Sequence, residues 1–142
     1  MRRVQILRVV AAKILIPYIL LFGLYVQFHG DFGPGGGFQA GVIFGAAFVL
    51  FALIFGLDAA RRVASQATVE WLIALGVLLY AGTGVVTMLL GGNFLDYNVL
   101  DRHHPVHGQH WGILAVELGV GITVAAGMIT LYYSFAGRRR ES

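Results

Sequence analysis

Four long apolar stretches constrain this chain more than any other feature of its sequence. They run over residues 9–28, 38–57, 69–90 and 111–136. A helix needs about 20 mostly apolar residues to cross the hydrocarbon core of a bilayer. A helix also satisfies its own backbone hydrogen bonds there, where no water can do so. We therefore predict an all-α integral membrane protein with four transmembrane helices, in which residues 1–142 form a single membrane domain.

The composition agrees with a membrane location. Charged residues make up 12% of the chain, whereas a soluble domain carries about 25%. So few charges cannot cover an aqueous surface. The sequence contains no cysteine, which excludes disulfides and cysteine-ligated zinc or iron–sulfur clusters. We predict no cofactor and no nucleic-acid partner, and we interpret the net charge of +3 as a topology signal.

The basic residues predict an orientation. Four of them lie within residues 2–13, two at 61–62 and three at 138–140, all on one side of a four-helix arrangement. Only Arg102 lies on the other side. The positive-inside rule then places both termini in the cytoplasm and the loops at 29–37 and 91–110 outside.

The segment between the first two apolar stretches is rich in glycine and reads HGDFGPGGGFQAG over residues 29–41. Pro34 fixes one φ angle, and the glycines after it permit a sharp turn and a close backbone approach. Gly37, Gly41 and Gly45 follow at intervals of four residues, a spacing that lets another helix pack closely. Two interpretations stay open: a turn with a packing face inside this chain, or a contact surface for a partner subunit.

This segment resembles a known signature. Its core, Pro34-Gly35-Gly36-Gly37-Phe38, is similar to the motif of the MnhB family, whose members are subunits of the multisubunit Mrp-type Na⁺/H⁺ antiporters. The stretch WGILAVELGV at 111–120 also resembles the family pattern of a glycine, an acidic residue and Gly-Val. The similarity covers nearly the whole chain.

The resemblance implies a multi-pass subunit of the prokaryotic plasma membrane. Its partners would be the other subunits of a hetero-oligomeric complex that exchanges a monovalent cation, sodium, for protons. The chain would be an accessory subunit needed for assembly, without enzymatic activity, that contributes to the ion path. The residues expected to form the motif and to contact other subunits are Pro34, Gly35, Gly36, Gly37, Phe38, Gly41 and Gly45.

Glu117 is the first candidate for ion transport. It lies six residues after Trp111, roughly 9 Å into the last span at ~1.5 Å per residue. A carboxylate at that depth is costly, and it marks a functional site by default. Glu117 either contacts the transported cation or proton, or it fastens helices together through a hydrogen bond.

Histidines provide further candidates in the outer loops. His29 and Asp31 lie close together in sequence, and a histidine beside a carboxylate can relay protons. The alternative is that the pair only orders the glycine-rich loop. The spacing of His104, His107 and His110 is compatible with metal ligands, but we favour a polar outer loop and predict no metal site.

Two alternatives to an antiporter subunit stay open at this point. The same module could translocate ions in a membrane-bound hydrogenase-like redox complex, or it could be a purely structural scaffold. A stand-alone transporter is disfavoured, because such proteins use several intramembrane charges and often inverted repeats. This sequence offers one clear intramembrane charge, Glu117, and no recognisable repeat.

Overall fold

A computed structural model describes residues 2–29, 36–93 and 105–141 of the chain. These residues form five helices and no strand. The helices are α1 (Arg2–His29), α2 (Gly37–Phe55), α3 (Leu57–Val63), α4 (Gln66–Leu89) and α5 (Pro105–Glu141). Four of them, α1, α2, α4 and α5, are long and apolar enough to cross a membrane. The predicted all-α fold with four membrane helices is confirmed, whereas the single domain and the orientation stay predictions.

Several helix ends differ from the predicted spans; α1, for example, begins at Arg2 rather than at residue 9. The connection after the second span contains α3, a short helix that the apolar pattern missed. Gly56, with φ of 97°, ends α2, and α3 then buries Leu57 and Ala60 while Asp58 stays exposed. The last helix begins six residues before the predicted span, because Pro105 occupies a first helical position, where proline is favoured.

The membrane helices form an open row rather than a closed bundle. Helix α1 packs against α2, α2 packs against α5, and α5 packs against α4, while α1 touches α5 only slightly. The order across the row is therefore α1–α2–α5–α4. Because each span has 17 to 28% of its residues buried, lipid or other subunits must cover the remaining surface.

Glycines determine how closely α5 approaches its two neighbours. A Cβ atom built on Gly41 of α2 would lie 2.7 Å from the carbonyl oxygen of Gly121 in α5. A Cβ atom built on Gly76 of α4 would lie 2.7 Å from the carbonyl oxygen of Gly119. Neither position admits a side chain without moving backbone. The helices therefore meet backbone against backbone, as small residues allow in membrane proteins.

The arginines converge at one end of the row. The guanidinium carbon of Arg61 lies 5.7 Å from the ring centre of Tyr133, and the Tyr133 hydroxyl donates to the carbonyl of Ala64 at 2.6 Å. These contacts bring α3 against the last turns of α5, close to Arg138. We call the end of the row that carries Arg61, Arg62 and Arg138 the basic end.

The glycine contacts generate a stability prediction. Gly41→Ala should destabilise the protein by about 1–3 kcal/mol, the usual cost of overpacking, because the new methyl group meets the backbone of α5. The measurement is the thermal unfolding midpoint of the purified chain in detergent. Gly127→Ala is the matched control, since nothing lies within 4 Å of its Cβ position. Equal midpoints for the two variants would contradict the packing.

Candidate functional site

The start of α2 forms a corner that only glycine tolerates. Gly36, the residue before α2, has φ of 126° and ψ of −170°, a region of backbone conformation that is essentially restricted to glycine. Its amide donates to the carbonyl of Val26 at 3.2 Å. This hydrogen bond ties the start of α2 to the last turns of α1, at the end of the row opposite the basic end.

Glu117 of α5 lies directly against this corner. A Cβ atom on Gly37 would collide with the carbonyl oxygen of Glu117, so the first turn of α2 rests on the backbone of α5 at that residue. The Glu117 side chain turns to the same place. Its Oε1 lies 3.3 Å from the Cβ position of Gly36, and its Oε2 is buried. The carboxyl group of Glu117 is thus held at the N-terminus of α2.

The carboxyl group of Glu117 lies at the positive end of the α2 dipole. The first amides of a helix have no partner within the helix and carry a partial positive charge of about half a unit. Gly36 supplies no side-chain cap to the start of α2. A carboxylate near such an end is stabilised by roughly 0.3–1 kcal/mol when exposed, and by more when partly buried. The start of α2 is therefore a polar surrounding for the carboxyl group of Glu117 inside the membrane.

A second polar side chain, Gln27 of α1, lies against Gly121, one helical turn after Glu117. Gln27 is only 4% exposed. Its Oε1 lies 2.9 Å from the Cβ position of Gly121, which is one turn after Glu117 on α5. Its Nε2 is buried and has no hydrogen-bond partner among the described residues. We call the group formed by Gln27, Gly36, Gly37, Glu117 and Gly121 the polar corner.

Sequence reasoning missed Gln27, although a signal was present. Gln27 carries an amide near the end of an otherwise apolar stretch of α1. Polar groups inside a membrane span usually have a structural or functional role. Burying an amide without a partner costs about 1–3 kcal/mol on protein scales. Gln27 is therefore a further polar group at this place, beside the candidates that the sequence indicated.

Three glycines of the predicted motif pack against another helix of the same chain. Gly37, Gly41 and Gly45 are buried and face Glu117, Gly121 and Met128 of α5. The interpretation as an internal packing face describes these three glycines, and α5 already occupies the surface where a partner helix was expected. Phe38 is 60% exposed, and a contact with another subunit stays a prediction for this residue.

Among the other predicted site residues, the structure describes His29 but not Asp31. His29 is the last residue of α1 and stacks on Tyr25, with ring centres 5.1 Å apart. Asp31, Pro34 and Gly35 lie outside the described residues, as do His103 and His104. The structure therefore brings Glu117 together with Gly36 and Gly37, whereas the proposed pairing of His29 with Asp31 stays a prediction.

Comparison with known proteins agrees with the motif. A family model described as "Domain related to MnhB subunit of Na+/H+ antiporter" matches residues 6–130. A protein of Staphylococcus haemolyticus (strain JCSC1435), named "Putative antiporter subunit mnhB2", is 33% identical over 129 residues, which cover 88% of this chain and 89% of the relative. A protein of the same name from Staphylococcus aureus (strain Newman) is 33% identical over 131 residues, which cover 89% of this chain and 91% of the relative.

The polar corner generates a prediction about coupling. Gly121→Ala should destabilise the protein, because the new methyl group would lie 2.9 Å from Oε1 of Gln27 and 3.2 Å from the carbonyl oxygen of Gly37. Shortening the glutamine in the double variant Gln27→Ala/Gly121→Ala should relieve part of this cost. Thermal unfolding of the four proteins in a double-mutant cycle should give a coupling of about 0.5–3 kcal/mol. Additive effects would show that the two side chains do not meet.

Proposed function

The chain belongs to the MnhB family of Na⁺/H⁺ antiporter subunits, and from this premise we propose that it is the accessory membrane subunit of a multisubunit monovalent cation/proton antiporter. It is a multi-pass protein of the plasma membrane. Its partners are the other subunits of that complex. It acts as part of a transporter rather than as an enzyme.

One observation carries the proposed contribution to the ion path: the carboxyl group of Glu117 lies at the N-terminus of α2, inside the membrane-spanning part of the chain. The helix end supplies a partial charge rather than a full counter-ion. A carboxyl group is a chemical group that can carry a proton or contact a cation. Glu117 is therefore our candidate for direct contact with the transported ion, and Gln27 is a polar neighbour on the same route.

The proposed orientation places the polar corner toward the outside. The basic end of the row would face the cytoplasm, following the positive-inside rule, and both termini would lie there. Glu117 would then lie toward the outer surface. His29, the last residue of α1, and Asp31 are our candidates for a proton relay.

The proposed role in assembly rests on Phe38. It lies in the first turn of α2, beside the polar corner, and most of its ring is exposed. Buried aromatic anchors contribute much of the energy of protein interfaces. A neighbouring subunit that covers Phe38 would also close the polar corner, so assembly and ion transport would be linked at this place. Pro34 and Gly35 would complete the same contact.

The names of the relatives bear on the alternatives. The family model and both Staphylococcus proteins are described as belonging to an antiporter. These descriptions favour an antiporter over a hydrogenase-like redox complex. A pure scaffold differs from our proposal in one respect, because it would give Glu117 no contact with ions.

Removal of the Glu117 charge tests the ion path. Glu117→Gln should reduce cation/proton exchange in everted vesicles to near background while the complex still assembles, because the amide can neither release a proton nor neutralise a cation. Exchange is measured as the collapse of a pH gradient when Na⁺ is added. Glu70→Gln is the matched control, an identical change at an exposed carboxylate of α4.

The outcomes separate the two roles of Glu117. Lost exchange with intact assembly, and normal exchange for Glu70→Gln, supports the ion path. Normal exchange in the Glu117→Gln complex would make the glutamate a packing residue and this subunit a scaffold.

Truncation of Phe38 tests the assembly contact. Phe38→Ala should reduce co-purification of the other subunits several-fold, because a large aromatic contact is lost at the interface. Leu53→Ala, at an equally exposed residue of the same helix (65% against 60%), should leave co-purification near the wild-type level. Similar recoveries for both variants would contradict a specific contact at Phe38.

A further inference from the structure

An apolar groove runs along one face of the helix row. Two adjoining cavities, of about 320 and 330 Å³, share Phe44, Ala125 and Ile129 in their floor. α2 and α5 form this floor, α1 forms one wall, and Leu72 of α4 contributes to the other. Along α1 the groove extends from Ile16 to residue 28, which is roughly 18 Å at the helical rise.

The groove suits a hydrocarbon chain. Its lining residues are apolar apart from Gln27. The length of the groove also matches one leaflet, since the whole hydrocarbon core is about 30 Å thick.

Two cations flank the end of the groove that opens at the basic end. Lys13 lies three residues before Ile16 and seven before Leu20, so it shares the helix face that lines the groove. Lys13 is exposed and forms no ion pair with any residue that the structure describes. Across the opening, Val63 lines the same cavity and follows the exposed Arg62. The Nε of Arg62 donates to the carbonyl of Asp58 at 3.5 Å.

Arg61, the neighbour of Arg62 in α3, has a different role from the pair Lys13 and Arg62. Its guanidinium group is held over the ring of Tyr133. That ring makes a T-shaped contact with Phe48, which lines the groove. Arg61 therefore fixes the wall beside the opening. The side chains of Lys13 and Arg62 are exposed, and both can contact an anion at the membrane surface.

We propose that this groove binds one anionic phospholipid, with an acyl chain along α2 and α5 and the phosphate between Lys13 and Arg62. The apolar floor suits the chain, and the two cations suit the charge of the headgroup. Basic residues at a membrane surface each strengthen binding to anionic lipid. The lipid would bridge α1 and α3, two elements that have few direct contacts with each other.

The test compares lipid binding by the intact, purified complex after delipidation. Native mass spectrometry measures the retention of phosphatidylglycerol against phosphatidylcholine in nanodisc-derived samples. The wild-type complex should retain phosphatidylglycerol preferentially. The double variant Lys13→Gln/Arg62→Gln should bind it about 30-fold more weakly, as expected for the loss of two surface cations. Arg2→Gln/Arg3→Gln removes the same charge from the start of α1 and should bind like the wild type.

A second variant tests the groove without changing the charge. Leu20→Trp fills the cavity and should reduce retention of phosphatidylglycerol, although Lys13 and Arg62 remain. Equal retention of both lipids by the wild type, or equal losses in the two charge variants, would overturn the proposal. A photo-crosslinker at position 20 that captures another subunit rather than lipid would also overturn it, because the groove would then hold protein.

Discussion

The structure depends on the close approach of α5 to its two neighbours. Gly119 meets Gly76 of α4, and Gly121 meets Gly37 and Gly41 of α2. Residues two apart in a helix lie on nearly opposite sides, so these two glycines make α5 the central member of the row. Association of helices in lipid relies on such close packing, because the hydrophobic effect does not distinguish a lipid tail from a leucine.

The same packing explains how a carboxyl group is placed inside the membrane. Gly37 has no side chain, so the first turn of α2 can rest on the backbone of α5 at Glu117. The positive end of α2 then meets the carboxyl group. A side chain at residue 37 would separate the two and leave the charge in a less favourable place. The glycine motif and Glu117, about 80 residues apart in the sequence, thus form one site.

Sequence patterns predicted the helices well and the contacts only in part. Stretches of about 20 apolar residues were enough for four membrane helices, and the spacing of Gly37, Gly41 and Gly45 indicated a close helix contact. The spacing does not say which helix makes the contact, since any small-residue face serves equally well. The structure gives that partner as α5.

Other features of the site depend on tertiary structure alone. Glu117 was recognisable as an intramembrane charge, but its position at the start of α2 depends on how two distant segments pack. Gln27 was overlooked because a single amide at the end of an apolar stretch looks like an interface residue. Helix α3 was missed because seven residues are too few to show a helical period that would distinguish a helix from a loop.

Access of Glu117 to an aqueous phase is the most direct test of its place on the ion path. A membrane-permeant carbodiimide reacts with protonated carboxyl groups, and mass spectrometry of the intact complex in vesicles gives the rate at Glu117. The pH is changed on one side of the membrane at a time. Our account predicts that the rate follows the pH of the side that faces the polar corner. A rate that ignores the pH on both sides would contradict it, because Glu117 would then be sealed within the helix packing.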